Sequence, residues 1–353
     1  MVILEHRLND YRNIQKLNFS PDPGINILRG NNGQGKTNIL ESIWLFTGCH
    51  SFRTRKAKEL VRESETQAEA EICFFSEGRE QTALMRIGLK REAQLNGVWK
   101  DSPRRLLGVF QAVVFSPESL WIVKGGPSER RKFLDIAISQ IRPNYAGILA
   151  RYHKVLLQRN ALLRQIAQGK ALEESLYPWD EELARLGARI IVYRETYIAQ
   201  LTKNAEEVYA GVTAGKERLS IAYERSVQGE SEAALRELMK KNWSADIRRQ
   251  HTAQGVHKED ISLHINDLPA RSFGSQGQQR SCALALKIAE AQQLHAATGE
   301  KPVVLLDDVM SELDEQRQKD VLHYLEGWQV FITCCESSLR GGKSFSVENG
   351  RIM

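Results

Sequence analysis

Cysteine is scarce in this chain, and long apolar runs are missing. Its five cysteines, Cys49, Cys73, Cys282, Cys334 and Cys335, are odd in number and show no C-x-x-C spacing. That argues against a disulfide scaffold, a zinc ribbon and a zinc-hinged arm. Most of them lie in apolar runs, so they read as buried, reduced thiols. No stretch approaches the roughly 18 apolar residues of a membrane helix. Glu5, His6 and Arg7 sit inside a strand-like start, which is not the pattern of a signal peptide. There is no internal repeat and no low-complexity tract. With 42% hydrophobic and 26% charged residues among 353, the chain has an ordinary globular composition and room for two or three domains. A soluble cytoplasmic protein with no membrane partner is expected.

Residues 30–37, Gly30-Asn31-Asn32-Gly33-Gln34-Gly35-Lys36-Thr37, form a complete G-x-x-x-x-G-K-[ST] loop. Its glycines allow a tight turn whose N–H groups point at phosphate oxygens. Lys36 can reach the β- and γ-phosphates, and Thr37 can place its hydroxyl on Mg²⁺. The context is the required one. A Pro-Asp-Pro-Gly turn at 21–24 and the alternating run Ile25-Asn26-Ile27-Leu28 precede the loop, and a helical apolar pattern from Ile39 to Phe46 follows it.

The matching half lies about 270 residues further on. Val303-Val304-Leu305-Leu306-Asp307-Asp308 reads as a buried parallel strand ending in two carboxylates, the Walker B form. Asp307 is expected to hold Mg²⁺, and Asp308 is the candidate general base beside the attacking water. So large a separation requires a nucleotide-binding fold split by a long insertion. Just before Walker B, Ser275-Gln276-Gly277-Gln278-Gln279 opens an Ala- and Leu-rich helical stretch, a second anion-binding device at a helix start. After it, Ser311-Glu312-Leu313-Asp314 reads as a turn with Ser311 a plausible N-cap.

Between these halves the pattern changes. Residues 1 to about 125 are strand-rich, with Ala68–Phe75 alternating and Asn96-Gly97 marking a hairpin. Residues 126–250 are mainly helical: Arg130 to Ile141, Tyr145 to Ile166, and a third helix opened by Pro178. Two long helices with a short connection argue an antiparallel arm, too short for an extended coiled coil. Residues 251–353 resume the nucleotide-binding half.

Walker A, the S-x-G-Q-Q signature, the Asp-Asp Walker B and the S-E-L-D segment together resemble the ABC-type ATPase heads of the SMC superfamily. The finer blocks are similar to the RecF family: Tyr11-Arg12-Asn13, Ser51-Phe52-Arg53-Thr54, Pro117-Glu118 with Gly125-Gly126-Pro127-Ser128, Arg130-Arg131, Phe133-Leu134-Asp135, and Gln158 to Arg164. The resemblance implies an α/β fold, an ABC-type P-loop ATPase head split by an inserted α-helical arm. It also adds Arg12 and Asn13 to the nucleotide contacts and assigns Ser275, Gly277 and Gln278 to capping a nucleotide from a second subunit. Two departures stand out. The switch position falls near Thr333 where transporter-type heads often carry His, and the Q-loop residue is left unassigned, Gln111 preceding the 112–115 strand and Glu118 following it. His257-Lys258-Glu259-Asp260 resembles a further family segment, to which the residues themselves give no role.

The net charge of +5 permits nucleic-acid binding. Arg53, Arg55, Lys56 and Lys58 cluster around Phe52, and Arg104-Arg105, Arg130-Arg131-Lys132 and Lys240-Lys241 add further basic groups. Arg53, Arg55, Lys56, Arg130 and Arg131 are the candidate DNA contacts. The resemblance implies an ATP- and Mg²⁺-dependent homodimer that closes on double-stranded or gapped DNA and opens on slow, DNA-stimulated hydrolysis. It also implies work with RecO and RecR in loading a recombinase. A different SMC-like tether and an ABC transporter motor are the rival readings. The first would need hundreds of heptad residues; the second would need a short helical subdomain for docking on membrane loops.

Overall fold

The computed structural model describes residues 1–228, 231–335 and 341–353, with the side chain of Glu312 outside the description. In chain order the first elements are β1 (Val2–Tyr11), β2 (Ile14–Phe19), β3 (Ile25–Arg29), α1 (Lys36–Leu45), β4 (Ala68–Ser76), β5 (Arg79–Ile87), β6 (Arg91–Leu95), β7 (Val98–Lys100) and β8 (Ala112–Phe115). The helical stretch comprises α2 (Trp121–Lys124), α3 (Pro127–Ile141), α4 (Pro143–Ala167) and α5 (Tyr177–Val212). Then come β9 (Leu219–Glu224), α6 (Ser231–Lys241), α7 (Trp243–Arg249), β10 (Asp260–Ile265), β11 (Leu268–Pro269), α8 (Ala270–Phe273) and α9 (Gln276–Thr298). The last are β12 (Val303–Asp307), α10 (Glu315–Tyr324), β13 (Val330–Cys334), β14 (Lys343–Glu348) and β15 (Arg351–Ile352).

The chain forms two compact units. The first takes 1–120, 208–215 and 280–353; the second takes 121–207 and 216–279. Residues 251–279, expected with the carboxy-terminal ATPase lobe, therefore cluster with the helical unit. The cause is pairing: β10 joins β9 and β11 in a three-stranded antiparallel sheet.

Two six-stranded sheets build the first unit. One is an antiparallel meander in the order β2-β1-β4-β5-β6-β7, whose period-two alternation, such as Ala68, Ala70, Ile72 and Phe74 inward on β4, buries one face. The other runs β15-β14-β3-β13-β12-β8, parallel from β14 to β8. Its central strands β12 and β13 are buried along their whole length, so they read as unbroken apolar runs. β13 lies between the P-loop strand β3 and the Walker B strand β12. Thr333 therefore stands beside Asp307 on one side and Leu28 on the other.

In the second unit α4 and α5 run antiparallel. Tyr145 stacks edge-on against Tyr193, Tyr152 lies over Gly187, and Arg159 pairs with Asp180, all in step along the two helices. Three buried ionic groups fasten this arm. Arg159 donates to Asp180, Asp246 and Thr252 at 2.6, 2.8 and 2.8 Å. Arg194 meets Glu259 at 3.2 Å and Asp135 at 3.1 Å. Arg130 holds Asp260 through two bonds of 2.8 and 2.6 Å. The His257 to Asp260 segment is thus structural: Glu259 and Asp260 receive the arginines, and His257 accepts from Tyr152 and donates to the Thr252 carbonyl.

Candidate functional site

The P-loop connects β3 to α1, and its backbone needs its glycines. Gly30, Gly33 and Gly35 have φ of 155°, 80° and 113°. A Cβ on Gly30 would stand 2.2 Å from the Val347 carbonyl oxygen, because the β14–β15 hairpin closes on the loop from outside. Two backbone N–H groups of that hairpin's turn bind Gln34: Gly350 donates to its carbonyl at 2.9 Å and Asn349 to its side-chain oxygen at 2.6 Å. From the other side Asn13 donates to the Gly33 carbonyl at 3.2 Å and accepts from Asn38 at 2.7 Å. The loop is thus braced by two turns far apart in sequence.

Lys36 points back into the loop, donating to the carbonyls of Gly30 and Asn31 at 2.5 and 2.9 Å. Thr37, one residue on, donates its hydroxyl to Asp307 Oδ1 at 2.7 Å. Thr333 donates to the same oxygen at 2.9 Å and accepts the Asp308 N–H at 2.9 Å. Burial pushes the Asp307 carboxyl above its ordinary value, against the lowering effect of the Thr37 and Thr333 hydroxyls. Asp308 is exposed and adopts a left-handed φ of 55°. Ser311 donates to its carbonyl at 2.8 Å and to its carboxylate at 3.0 Å. Two hydroxyls from different segments therefore clamp the candidate base.

This arrangement suits a nucleotide with Mg²⁺. Lys36 satisfies its charge on carbonyls of its own loop, bonds that phosphate oxygens can replace. Thr37 and Asp307 offer two adjacent hard oxygen ligands. Among the described residues no group of three or more His, Cys, Asp or Glu side chains could hold a metal alone. Mg²⁺ typically takes one or two protein oxygens and completes its shell with phosphate and water.

Several sequence expectations are redirected. Ser311 does not cap α10; Asp314 does, accepting the Arg317 N–H at 3.0 Å. Cys335 is exposed, unlike the expected buried thiol, and its sulfur lies 3.7 Å from Lys36 Nζ and 3.0 Å from Asn32. Arg130 is withdrawn from the DNA contacts: it is buried and saturated by Asp260 and the Gly125 carbonyl. Arg131 is half-buried and donates to the Glu259 carbonyl at 2.8 Å. Arg53, Arg55 and Lys56 are exposed. Arg12 faces buried Glu41 through bonds of 2.9 and 2.7 Å. Tyr11 and Ser51 reach the same carboxylate. Glu41 is thus the unnoticed hub that ties the Tyr11–Asn13 and Ser51–Thr54 blocks to α1. Of the two Q-loop candidates, Gln111 stands at the amino end of β8 and accepts from Thr298, whereas Glu118 follows the carboxyl end and acts electrostatically on Asp307.

In the second unit Ser275 and Gln278 form a reciprocal capping box at the start of α9. The Ser275 hydroxyl accepts the Gln278 N–H at 3.2 Å, and the Gln278 side chain accepts the Ser275 N–H at 2.8 Å. Gly277 lies in the first turn.

The chain is 38% identical over 359 residues to the DNA replication and repair protein RecF of Clostridium tetani, covering 98% of this chain and 97% of that protein. The chain belongs to the RecF family. Residues 2–342 match the RecF/RecN/SMC N terminal domain. RecF of a Thermoanaerobacter species is 39% identical over 366 residues, covering 100% of this chain and 99% of its own. A solved structure of the recombination mediator protein RecF-ATP in the RecFOR pathway superposes with a TM-score of 0.93 at 37% identity, covering 100% of this chain and 97% of that one. The Smc head domain of Pyrococcus furiosus, 16% identical with a TM-score of 0.58, shares the fold. The RecF-family fold is therefore an ABC-type ATPase head of the SMC kind with a long helical arm.

Proposed function

We propose that this RecF-family chain is an ATP-driven switch that dimerises on DNA during recombinational repair and replication-fork maintenance. The observation that carries it is the 2.7 Å bond between Thr37 and Asp307, which brings Walker A and Walker B into one site from opposite ends of the sequence. Gly30 to Lys36 would cradle the phosphates, Thr37 and Asp307 would hold Mg²⁺, and Asp308 would orient the attacking water. Mg²⁺ supplies charge neutralisation on the phosphates. Asn13, through its bonds to Gly33 and Asn38, sets the loop that Arg12 flanks.

In the dimer, Ser275, Gly277 and Gln278 of one copy would cap the nucleotide held by the other, in a two-fold head-to-tail arrangement. The capping box supports this, because it orders the start of α9 and leaves backbone N–H groups of a helix N-terminus available for an anion. Departure of the γ-phosphate would end that capping and open the clamp. Turnover would then be slow and raised by DNA, with ATP acting as a timer. Arg53, Arg55 and Lys56 would meet DNA phosphates, and Arg131 would contribute its remaining donors. Gapped junctions as the preferred DNA, and RecO and RecR as partners in loading recombinase, follow from family membership alone.

Sedimentation without nucleotide, with ADP and with ATP, each with and without duplex DNA, tests the reading. An ATP-only shift from monomer to dimer, strengthened by DNA and abolished by Ser275→Arg, is expected. A monomer under every condition would leave the nucleotide site standing and remove the clamp.

A further inference from the structure

Three arginines distant in sequence converge beyond the carboxyl end of α1. Trp44, buried near the end of that helix, donates its indole N–H to the His50 carbonyl at 2.9 Å and so fixes the loop that leaves it. Arg91, at the start of β6, donates to the Cys49 carbonyl at 3.2 Å and to His50 Nδ1 at 3.2 Å. Arg104 comes from the short helical turn Pro103–Leu106, which Ser102 caps. That turn is pressed against the same loop, since a Cβ on Gly48 would lie 2.9 Å from both the Pro103 carbonyl oxygen and the Leu107 nitrogen. Arg55, exposed on the segment after Ser51, is close enough to act electrostatically on the same His50 ring. The charges register at His50: burial first, then Arg91, Arg104 and Arg55 in that order, push its imidazole below the ordinary value.

The arginines elsewhere in this unit mostly have carboxylate partners. Arg7 pairs with Glu5 and Glu71, Arg12 with Glu41, Arg62 with Asp10, and Arg86 with Glu69. Arg105, next to Arg104, is neutralised by Asp101 at 3.1 Å. Among the described residues Arg55, Arg91 and Arg104 make no ion pair within 4.0 Å. Arg91 is half-buried and carries Arg104 as a like-charge neighbour. Gathering three uncompensated guanidinium groups is unfavourable unless an anion joins them, and guanidinium forks match phosphate oxygens.

We propose that Arg55, Arg91 and Arg104, arranged around His50, form a niche that binds backbone phosphates of duplex DNA. The niche lies at the opposite end of α1 from Lys36 and Thr37, so it is a site separate from the nucleotide's. It rests on the reading that this chain acts on DNA and adds where the backbone seats. Three segments contribute, so no single basic run reveals it.

Fluorescence anisotropy of a labelled duplex, measured over a salt series, tests the niche. In the Arg55→Gln/Arg91→Gln/Arg104→Gln variant the slope of log affinity against log salt should fall by about 1 for each phosphate that is no longer neutralised, with affinity reduced alike for all sequences. Arg104→Gln alone, on an exposed turn, should show a smaller change in the same direction at an unchanged melting temperature. NMR of the His50 ring separates the sources of phosphate. The ring signals should move with duplex and not with inorganic phosphate at matched ionic strength. A shift with inorganic phosphate combined with unchanged duplex binding by the variants would mark a free-anion site and overturn the proposal. Equal slopes in wild type and the triple variant would overturn the niche while leaving DNA binding in place. No duplex binding by the wild type would overturn both, and nucleotide-dependent dimerisation would still be judged by sedimentation.

Discussion

Thr333 donates its hydroxyl to Asp307 and accepts the N–H of Asp308, both at 2.9 Å, so one side chain holds both Walker B residues. It lies within β13, near the position where a switch residue is expected, and is not a histidine. Its role here is to position carboxylates, whatever else it touches when nucleotide binds.

Thr333→Val keeps the shape and removes both bonds. Turnover should fall about 10- to 100-fold, the scale expected for deleting one positioning hydrogen bond. Nucleotide affinity should stay within a few-fold, and Thr333→Ser should recover most of the rate. Steady-state phosphate release and titration with a fluorescent nucleotide separate the two effects. A Val variant that turns over normally would leave Asp308 without need of this clamp.

Asp307→Asn and Asp308→Asn should differ in kind. The first removes charge from the carboxylate that Thr37 touches and that is proposed to hold Mg²⁺, so nucleotide binding should lose its Mg²⁺ dependence. The second keeps binding and should trap the ATP dimer, visible as a long-lived species in sedimentation. Identical behaviour would undo the division of roles.

Arg159→Leu tests the arm. The guanidinium is fully buried between Asp180 and Asp246, and its removal leaves two carboxylates buried without their counter-ion. Breaking such a pair costs about 3–5 kcal/mol. The urea midpoint of the transition that reports the helical unit should drop accordingly, and a change below about 1 kcal/mol would show that the network is relieved by solvent.

Acid should destabilise both units through histidine. Burial pushes His6 down from 6.5 to about 4, where Nδ1 donates to the Glu71 carbonyl and Nε2 meets the Ser42 hydroxyl. Burial likewise holds His257 at about 4, partly offset by its bond to the Thr252 carbonyl. Both rings are neutral when folded, whereas the unfolded chain protonates them below 6.5. Their contribution is complete above that value and is lost as pH falls toward 4, on the order of 3 kcal/mol each. Urea unfolding across this range should show the loss, and His6→Gln should flatten the part belonging to the first unit.

The nucleotide site was legible because its chemistry is local in sequence. The P-loop is one contiguous turn, and Asp307 ends a strand whose uniform apolarity announces burial. The helices of the arm could be read for the same reason, from spacing and proline. What escaped depends on partners that only the fold supplies. Thr333 gains its role from the parallel register that sets it beside Asp307. Arg130 looked like a free cation until β10 brought Asp260 to it, and Glu41 drew no notice because Arg12 and Ser51 meet it through the fold. Ser311 read as a cap because a serine before a helix usually is one; here Asp314 stood closer to the first turn and left Ser311 to Asp308.

The strand order also governs when the site can exist. β3, which carries the P-loop, has β13 and β14 as its neighbours, and both are translated about 300 residues later. At about 5–20 residues per second, the nascent Walker A strand spends tens of seconds without a partner on either edge. Nucleotide competence is therefore acquired only once β13 and β14 have been made, and until then an unpaired, largely apolar strand must be kept from pairing with the wrong chain.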